Sequence, residues 1–409
     1  MPEKSLKLAH TWGLGGMALL LVILQVLSGS LMLFVYHPVP DKAYHCVWVL
    51  MNAVTFGRFI RGVHYWSANV LVAVVLLHML RVFFTSAFHS PRRFNWIIGL
   101  CLLGFVLVSN FTGYLLPWDQ LAYWAVTICI EMLAYIPWIG VFLKNLIRGG
   151  GEIGSATLST FFVFHVILMP VCFFTFMPFH FWRVRKAGGV VSPKSLRGDV
   201  ESAINRVPVL PHLVVREAAV GLVLVACVFM LSAIFDAPLE SQANPGLSPN
   251  PTKAPWYFVG FQELQLHLAP EFAILVFPLI FVAGLMLIPY LSYGDETCGV
   301  WFCSQRGRRS AGVAGMIGVT TTLAVIFIDE WVFADATLLA GGSGVVMRGI
   351  LPLGILFFGG CMFAWWGRRK GNMSTNEVVQ SIFAFFLSAF VMLTLIGALF
   401  RGPGMALAW

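Results

Sequence analysis

Nine stretches of this sequence, at about residues 13 to 36, 64 to 88, 96 to 117, 157 to 182, 214 to 235, 271 to 292, 311 to 328, 346 to 366 and 377 to 400, are apolar almost throughout. A run of about 20 such residues, wound as an α-helix, crosses the roughly 30 Å hydrocarbon layer of a bilayer. Inside lipid the backbone has no water to bond, so each segment must satisfy its own amides, which a helix does. The fold class expected is therefore an all-α polytopic membrane protein. Composition agrees: 59% of the 409 residues are hydrophobic and 11% charged, against roughly 25% charged in a soluble domain. A water-soluble enzyme is excluded. The net charge of +8 resides in short clusters between apolar runs, which suits a lipid membrane and not a nucleic acid. The first run has no small-residue cleavage site and is expected to be a retained span.

The basic residues orient the chain. With the N-terminus in the cytoplasm, 18 of the 26 Lys and Arg fall on the inner side, including Lys4, Lys7, Arg92, Arg93, seven in the segment from Arg183 to Arg216, and the clusters at 306 to 309 and 368 to 370. The positive-inside rule favours that orientation, and nine spans then put the C-terminus outside. Two outer loops are long. Residues 117 to 156 contain apolar pieces too short to span, 122 to 136 and 141 to 147, expected as surface helices. Residues 236 to 270 are rich in Pro and Asn and contain Ala-Pro-Trp-Tyr-Phe at 254 to 258.

Four of the ten histidines fall in two spans: His64 and His78 in the second, His165 and His180 in the fourth. An imidazole at membrane depth is a functional-site hypothesis by default. The spacings, 14 and 15 residues, are close to four helical turns, so each pair shares a helix face about 21 Å apart. Both spans run outside to inside, which brings His64 to His165 near the outer face and His78 to His180 near the inner face. Two facing imidazoles with no thiolate or carboxylate make a poor structural zinc site, but they suit a haem iron whose porphyrin supplies the other four ligands. Gly15 and Gly29 on the first span, and Gly99 and Gly113 on the third, repeat the 14-residue spacing. Glycine gives room where backbone approaches a ligand; ordinary small-residue helix packing is the alternative. Arg61 and Arg81 flank His64 and His78 by three residues, either beside haem propionates or snorkelling to the interface. The eight Cys form no C-x-x-C and no C-x-x-C-H, so no covalent c-type haem is expected.

The segments Arg-Gly-Val-His-Tyr-Trp-Ser-Ala-Asn at 61 to 69, His-Met-Leu-Arg-Val-Phe at 78 to 83 and Gly-Tyr-Leu-Leu-Pro-Trp-Asp-Gln at 113 to 120 resemble the cytochrome b subunit of quinol-oxidising cytochrome bc complexes. The photosynthetic, plastoquinol-oxidising form is the nearest in kind. The resemblance is strong over residues 10 to about 186. It is weaker from 216 to about 289, resting on Ala-Asn-Pro at 243 to 245 and Pro-Trp-Tyr-Phe at 255 to 258, and is confined to hydropathy in the last three spans.

It implies two non-covalent b haems with bis-His ligation, quinol oxidised near Trp256 and Tyr257 at the outer face, and a second quinone site near Glu217 inside. Further, it implies a Rieske-type iron-sulfur protein or c-type cytochrome subunit as partner, a homodimeric complex, and a bacterial inner membrane. The corresponding division is a dihaem bundle at 1–186, a cytoplasmic linker at 187–213, a quinone-pocket region at 214–300 and additional helices at 301–409.

Three departures stand out: Gly13 replaces the Cys that holds an extra haem in the photosynthetic form, Pro255 replaces the outer-pocket Glu, and Glu131 replaces a Gly. Quinol oxidation releases protons that some group must accept, so Glu131 and Glu263 are candidate acceptors. Two alternatives stand beside this: a non-bifurcating quinone-linked cytochrome b serving a multihaem cytochrome or dehydrogenase, and, more remotely, a transporter, which would be expected to show inverted repeats.

Overall fold

The computed structural model describes residues 4–5, 11–191, 207–293, 299–331 and 342–408. Among them, nine helices are long and apolar enough to cross a membrane: Leu14–Met32, Gly57–Phe84, Arg93–Leu115, Ser155–Lys186, Val209–Ile234, Phe272–Tyr290, Gln305–Trp331, Val346–Arg369 and Thr375–Leu399. They match the nine predicted spans one for one. Among the described residues, strand is confined to a two-residue pairing of Lys4–Ser5 with Val207–Pro208. Most of the expected linker, 192 to 206, lies outside the described residues.

Several helices run past the hydropathic edges. The second begins at Gly57 and not near 64, and the seventh starts at Gln305 and not near 311. Hydropathy marks where lipid begins, whereas a helix continues as long as its backbone bonds do. Arg61 therefore sits a full turn inside the second helix. The loop after the third span holds the expected short helices at Gln120–Met132 and Gly140–Arg148, and a further one, Pro40–Asn52, follows the first span. Pro40 opens that helix and Asp41 lies in its first turn, both favourable at a helix start.

The chain forms two compact units. One comprises residues 1–83, 87–127 and 145–247; the other comprises 84–86, 128–144 and 248–409. The division falls at Ser248, within the region expected at 214–300. In the first unit the third and fourth spans pack along each other and the first packs on the fifth. The approach of span two to span five is close: a Cβ at Gly62 would lie 3.1 Å from the Ser232 Cβ. In the second unit the ninth span packs against both the seventh and the helix Trp256–His267. Ile326, Leu393 and Ile396 form an apolar cluster there.

Candidate functional site

The four histidines converge in the first unit from spans two and four. His64 and His165 stand with ring centroids 6.1 Å apart and planes at 70°. His64 Nδ1 lies 2.9 Å from Ser28 Oγ, whose hydroxyl bonds the Leu24 carbonyl at 2.6 Å. His165 Nδ1 lies 2.9 Å from the Ser109 carbonyl oxygen. A carbonyl only accepts, so Nδ1 carries the hydrogen and the neutral ring keeps its lone pair on Nε2. Half of the 6.1 Å separation is about 3 Å; with both Nε2 atoms on the line between the centroids, the about 1 Å from centroid to nitrogen would leave about 2 Å, the length of a metal–imidazole bond. The pair thus has the separation, and His165 the tautomer, that an iron between them requires, with outer partners fixing ring orientation in the manner usual for ligand histidines.

The glycines meet the histidines one to one. A Cβ built on Gly29 would come within 3.1 Å of His64 Cε1, and one on Gly113 within 2.5 Å of His165 Cε1. At the other level Gly15 faces His78 at 3.7 Å and Gly99 faces His180 at 3.4 Å. His180 stands against the Asn95 backbone, 14 residues before Ser109. First and third spans thus present small residues to the rings at both depths. Gln25 Nε2 ties span one to span two through the His64 carbonyl at 2.7 Å and Ser67 Oγ at 2.6 Å.

The unequal spacings, 14 on one helix and 15 on the other, have a structural cause. Residues Phe164–Leu168 form a π turn inside the fourth span. Such a turn takes up one extra residue, and π turns recur at functional sites. His165 lies within it, so 15 residues on this helix cover the rise and rotation that 14 cover on span two.

Arg61 is buried, its Nη1 donating to the Ala237 carbonyl at 2.7 Å and its Nη2 to that of Pro238 at 2.6 Å. It fastens the end of span two to the chain leaving span five instead of snorkelling outward. Arg81 is buried as well. Glu217 lies exposed in the first turn of the α-helical part of span five, Val214–Ile234. Asp119, which follows Trp118 after span three, is buried, and that burial pushes its carboxyl above the usual range against hydrogen bonds from the Ala122 and Glu240 amides.

In the second unit Trp256 and Tyr257 open the helix Trp256–His267, behind Pro255, with their rings edge to face at 5.5 Å. Glu131 is half-exposed and accepts from Lys144 Nζ at 2.8 Å. Glu263 has a different setting. It has 0% exposure and receives Arg401 Nε at 3.0 Å and Nη2 at 2.6 Å, with His267 Nε2 at 3.2 Å. Burial alone would raise its carboxyl, but the hydrogen bonds from His267 and Arg401 outweigh burial and hold it below the ordinary carboxylate value. Trp256, two turns earlier, is 43% exposed; the expected shared face leads at Glu263 into a buried ion pair. Arg401 also bonds Glu330, His267 Nδ1 meets Asp329 at 2.8 Å, and Arg348 meets Asp329 at 2.6 Å. Sequence reasoning missed this network, although one signal was present: Asp329 and Glu330 close an otherwise apolar span and a single Arg401 follows another.

Residues 3–188 match the family model described as Cytochrome b/b6/petB. Over 175 residues, 43% of this chain, the sequence is 42% identical to cytochrome b6 of Heliomicrobium gestii and 43% identical to that of Heliobacterium modesticaldum, covering 82% of each. It is 42% identical to cytochrome b6 of Prochlorococcus marinus strain NATL1A, covering 80%. The fold is similar to a solved chain titled "Hyperthermophilic respiratory Complex III", with a TM-score of 0.68, 22% identity, and 93% of this chain and 91% of that one covered.

Proposed function

This chain belongs to the cytochrome b/b6 family, and from that premise we propose that it holds two b haems, one between His64 and His165 and one between His78 and His180, and oxidises quinol at the outer face. Family membership makes it an integral-membrane, b-haem redox subunit of a bc-type quinol oxidoreductase complex and removes the transporter alternative. The observation that carries the finer reading is the outer pair: ring centroids 6.1 Å apart, with His165 Nδ1 committed to the Ser109 carbonyl. Facing glycines at both depths support the second site.

Bound there, the haems would supply a one-electron path between the two membrane faces. His64 and His165 offer Nε2 as ligand atoms, and Ser28 and the Ser109 carbonyl orient them. Gly15, Gly29, Gly99 and Gly113 leave room beside the rings, and Arg61 and Arg81 supply buried positive charge near the two levels. The N-terminus is assigned to the cytoplasm and the C-terminus to the outside of a bacterial inner membrane, by the distribution of Lys and Arg. Glu217 is assigned to an inner quinone site. A Rieske-type iron-sulfur protein or c-type cytochrome takes the second electron, in a homodimeric complex.

At the outer face Trp256 and Tyr257 present aromatic surface to a quinol ring, and a carboxylate receives its proton. Both candidate carboxylates are ion-paired, Glu131 half-exposed with Lys144 and Glu263 fully buried with Arg401, so proton uptake at Glu131 breaks a solvent-accessible pair and at Glu263 a buried one. Haem content by pyridine haemochrome, with quinol-dependent haem reduction in Glu131→Gln, Glu263→Gln and the double variant, tests this. Two haems per chain are expected, with a rate loss of about 10²-fold or more in Glu131→Gln, as for loss of a general base. One haem per chain would overturn the ligand assignment, and wild-type rates in the double variant would remove the carboxylates from the proton path.

A non-bifurcating cytochrome b is a second reading, favoured by Pro255 in place of a carboxylate and by the clamped state of Glu263. It requires both quinol electrons to enter the haems with no separate acceptor present, whereas bifurcation requires a separate acceptor for one of them.

A further inference from the structure

We propose that the buried cluster around His267 is a proton-holding site, taking up the proton released by quinol oxidation and passing it to water through Asp329. The proposal rests on the outer-quinol reading above and adds to it the group that holds the proton.

His267 occupies the last turn of the helix that begins with Trp256 and Tyr257. Both ring nitrogens face carboxylates: Nε2 meets Glu263 at 3.2 Å and Nδ1 meets Asp329 at 2.8 Å. The other charged groups come from the ends of the seventh and eighth spans and from the chain after the ninth. Arg401, after the ninth span, reaches Glu263 and stands 3.4 Å from His267 Nε2; it also bonds Glu330, which ends the seventh span beside Asp329. Arg348, in the first turns of the eighth span, bonds Asp329 at 2.6 Å. Three carboxylates and two guanidinium groups leave one negative charge, which an imidazolium cancels. The cluster is therefore built to exist in two charge states that differ by a single proton, with His267 as the residue that changes.

A gradient of exposure gives the direction. The Glu263 side chain is 0% exposed, that of His267 3%, and that of Asp329 14%. Burial alone would favour the neutral ring, but the hydrogen bonds to Asp329 and Glu263 outweigh it and raise the imidazole above its ordinary value. Uptake forms one N–H bond on the ring and takes the cluster from one negative charge to neutral. Release breaks one N–H bond, the hydrogen leaving by Asp329, and the negative charge returns. No electron moves in either step. On transfer to Asp329 the protonated carboxyl donates back to Nδ1, while Nε2 keeps its hydrogen toward Glu263. Helix end, span ends and the residue after span nine meet on one side of the membrane, the outer side in the orientation assigned above.

The test uses the full-length protein in its complex, with His267→Gln and His267→Lys. Infrared pH-difference spectra should show a histidine titrating above about 6.5 that is absent from both variants. Quinol-dependent haem reduction should fall at least about tenfold in His267→Gln, and His267→Lys, which supplies a fixed charge in place of the ring, should not restore it. Absence of the titrating histidine overturns the proposal, as does a wild-type rate in His267→Gln. Rescue by His267→Lys overturns it too, since charge balance alone would then be the role. If His267→Gln does not accumulate, the titration and rate of His267→Lys decide. A wild-type complex that quinol does not reduce refutes the outer-quinol reading itself, and the proposal falls with it.

Discussion

Gly113→Ala should loosen the outer haem site more than the same change at any of the other three facing glycines. The added Cβ would come to 2.5 Å from His165 Cε1, 2.9 Å from Nδ1 and 3.2 Å from Nε2. Ordinary contact begins near 3.4 Å, so the ring must withdraw by about 0.9 Å. That motion pulls Nδ1 from the Ser109 carbonyl and carries Nε2 away from the position proposed for the haem iron. Overpacking of this kind costs about 1–3 kcal/mol and the strained hydrogen bond about 1 kcal/mol. The better helix propensity of Ala offsets about 1 kcal/mol. The net is about 1–3 kcal/mol, or roughly 5- to 150-fold in occupancy.

The other glycines calibrate the effect. Gly29→Ala, at 3.1 Å, should be weaker, Gly99→Ala, at 3.4 Å, weaker still, and Gly15→Ala, at 3.7 Å from His78, neutral or stabilising. The assay is haem per protein with low-temperature reduced-minus-oxidised spectra, which separate two b components. A Gly113→Ala protein with a full outer component, or a Gly15→Ala protein worse than Gly113→Ala, would refute the reasoning.

His64→Leu and His165→Leu should each remove the same spectral component, and His78→Leu and His180→Leu the other; loss of one component in both His64→Leu and His78→Leu would show that ligands do not pair by depth. Arg401→Gln leaves Glu263 buried without its cation, a change that costs about 3–5 kcal/mol, and should lower the thermal-unfolding midpoint in detergent far more than Lys144→Gln, whose partner Glu131 is half-exposed. The pH dependence follows from two opposite shifts. His267 is raised in the fold, so its contribution is complete below the ordinary imidazole value and is lost as pH rises through the folded one. Glu263 is lowered, so its contribution is present above the ordinary carboxylate value and is lost as pH falls through the folded one. The unfolding midpoint should therefore have a plateau between those limits, and His267→Gln should abolish the fall on its alkaline side; an unchanged alkaline limb would refute the assignment.

Nine spans and four histidines at two depths were legible in the linear chain because both depend on local quantities, side-chain hydrophobicity and helical rise, which act over one segment at a time. The 14-residue repeat of Gly15, Gly29, Gly99 and Gly113 was legible for the same reason, and the structure adds that each faces its own imidazole. What required tertiary structure was anything set by partners distant in sequence. A π turn at Phe164–Leu168 reconciles the two histidine spacings, and no residue in it announces the extra amide. Arg61 finds its acceptors at Ala237 and Pro238, 176 and 177 residues away. Glu263 looks in sequence like an available base two turns past Trp256, yet Arg401, 138 residues later, turns it into half of a buried ion pair. Charge in a membrane protein is neutralised by whichever opposite charge folding brings near, so the chemistry of a carboxylate is decided by the packing of helices and not by its neighbours in the chain.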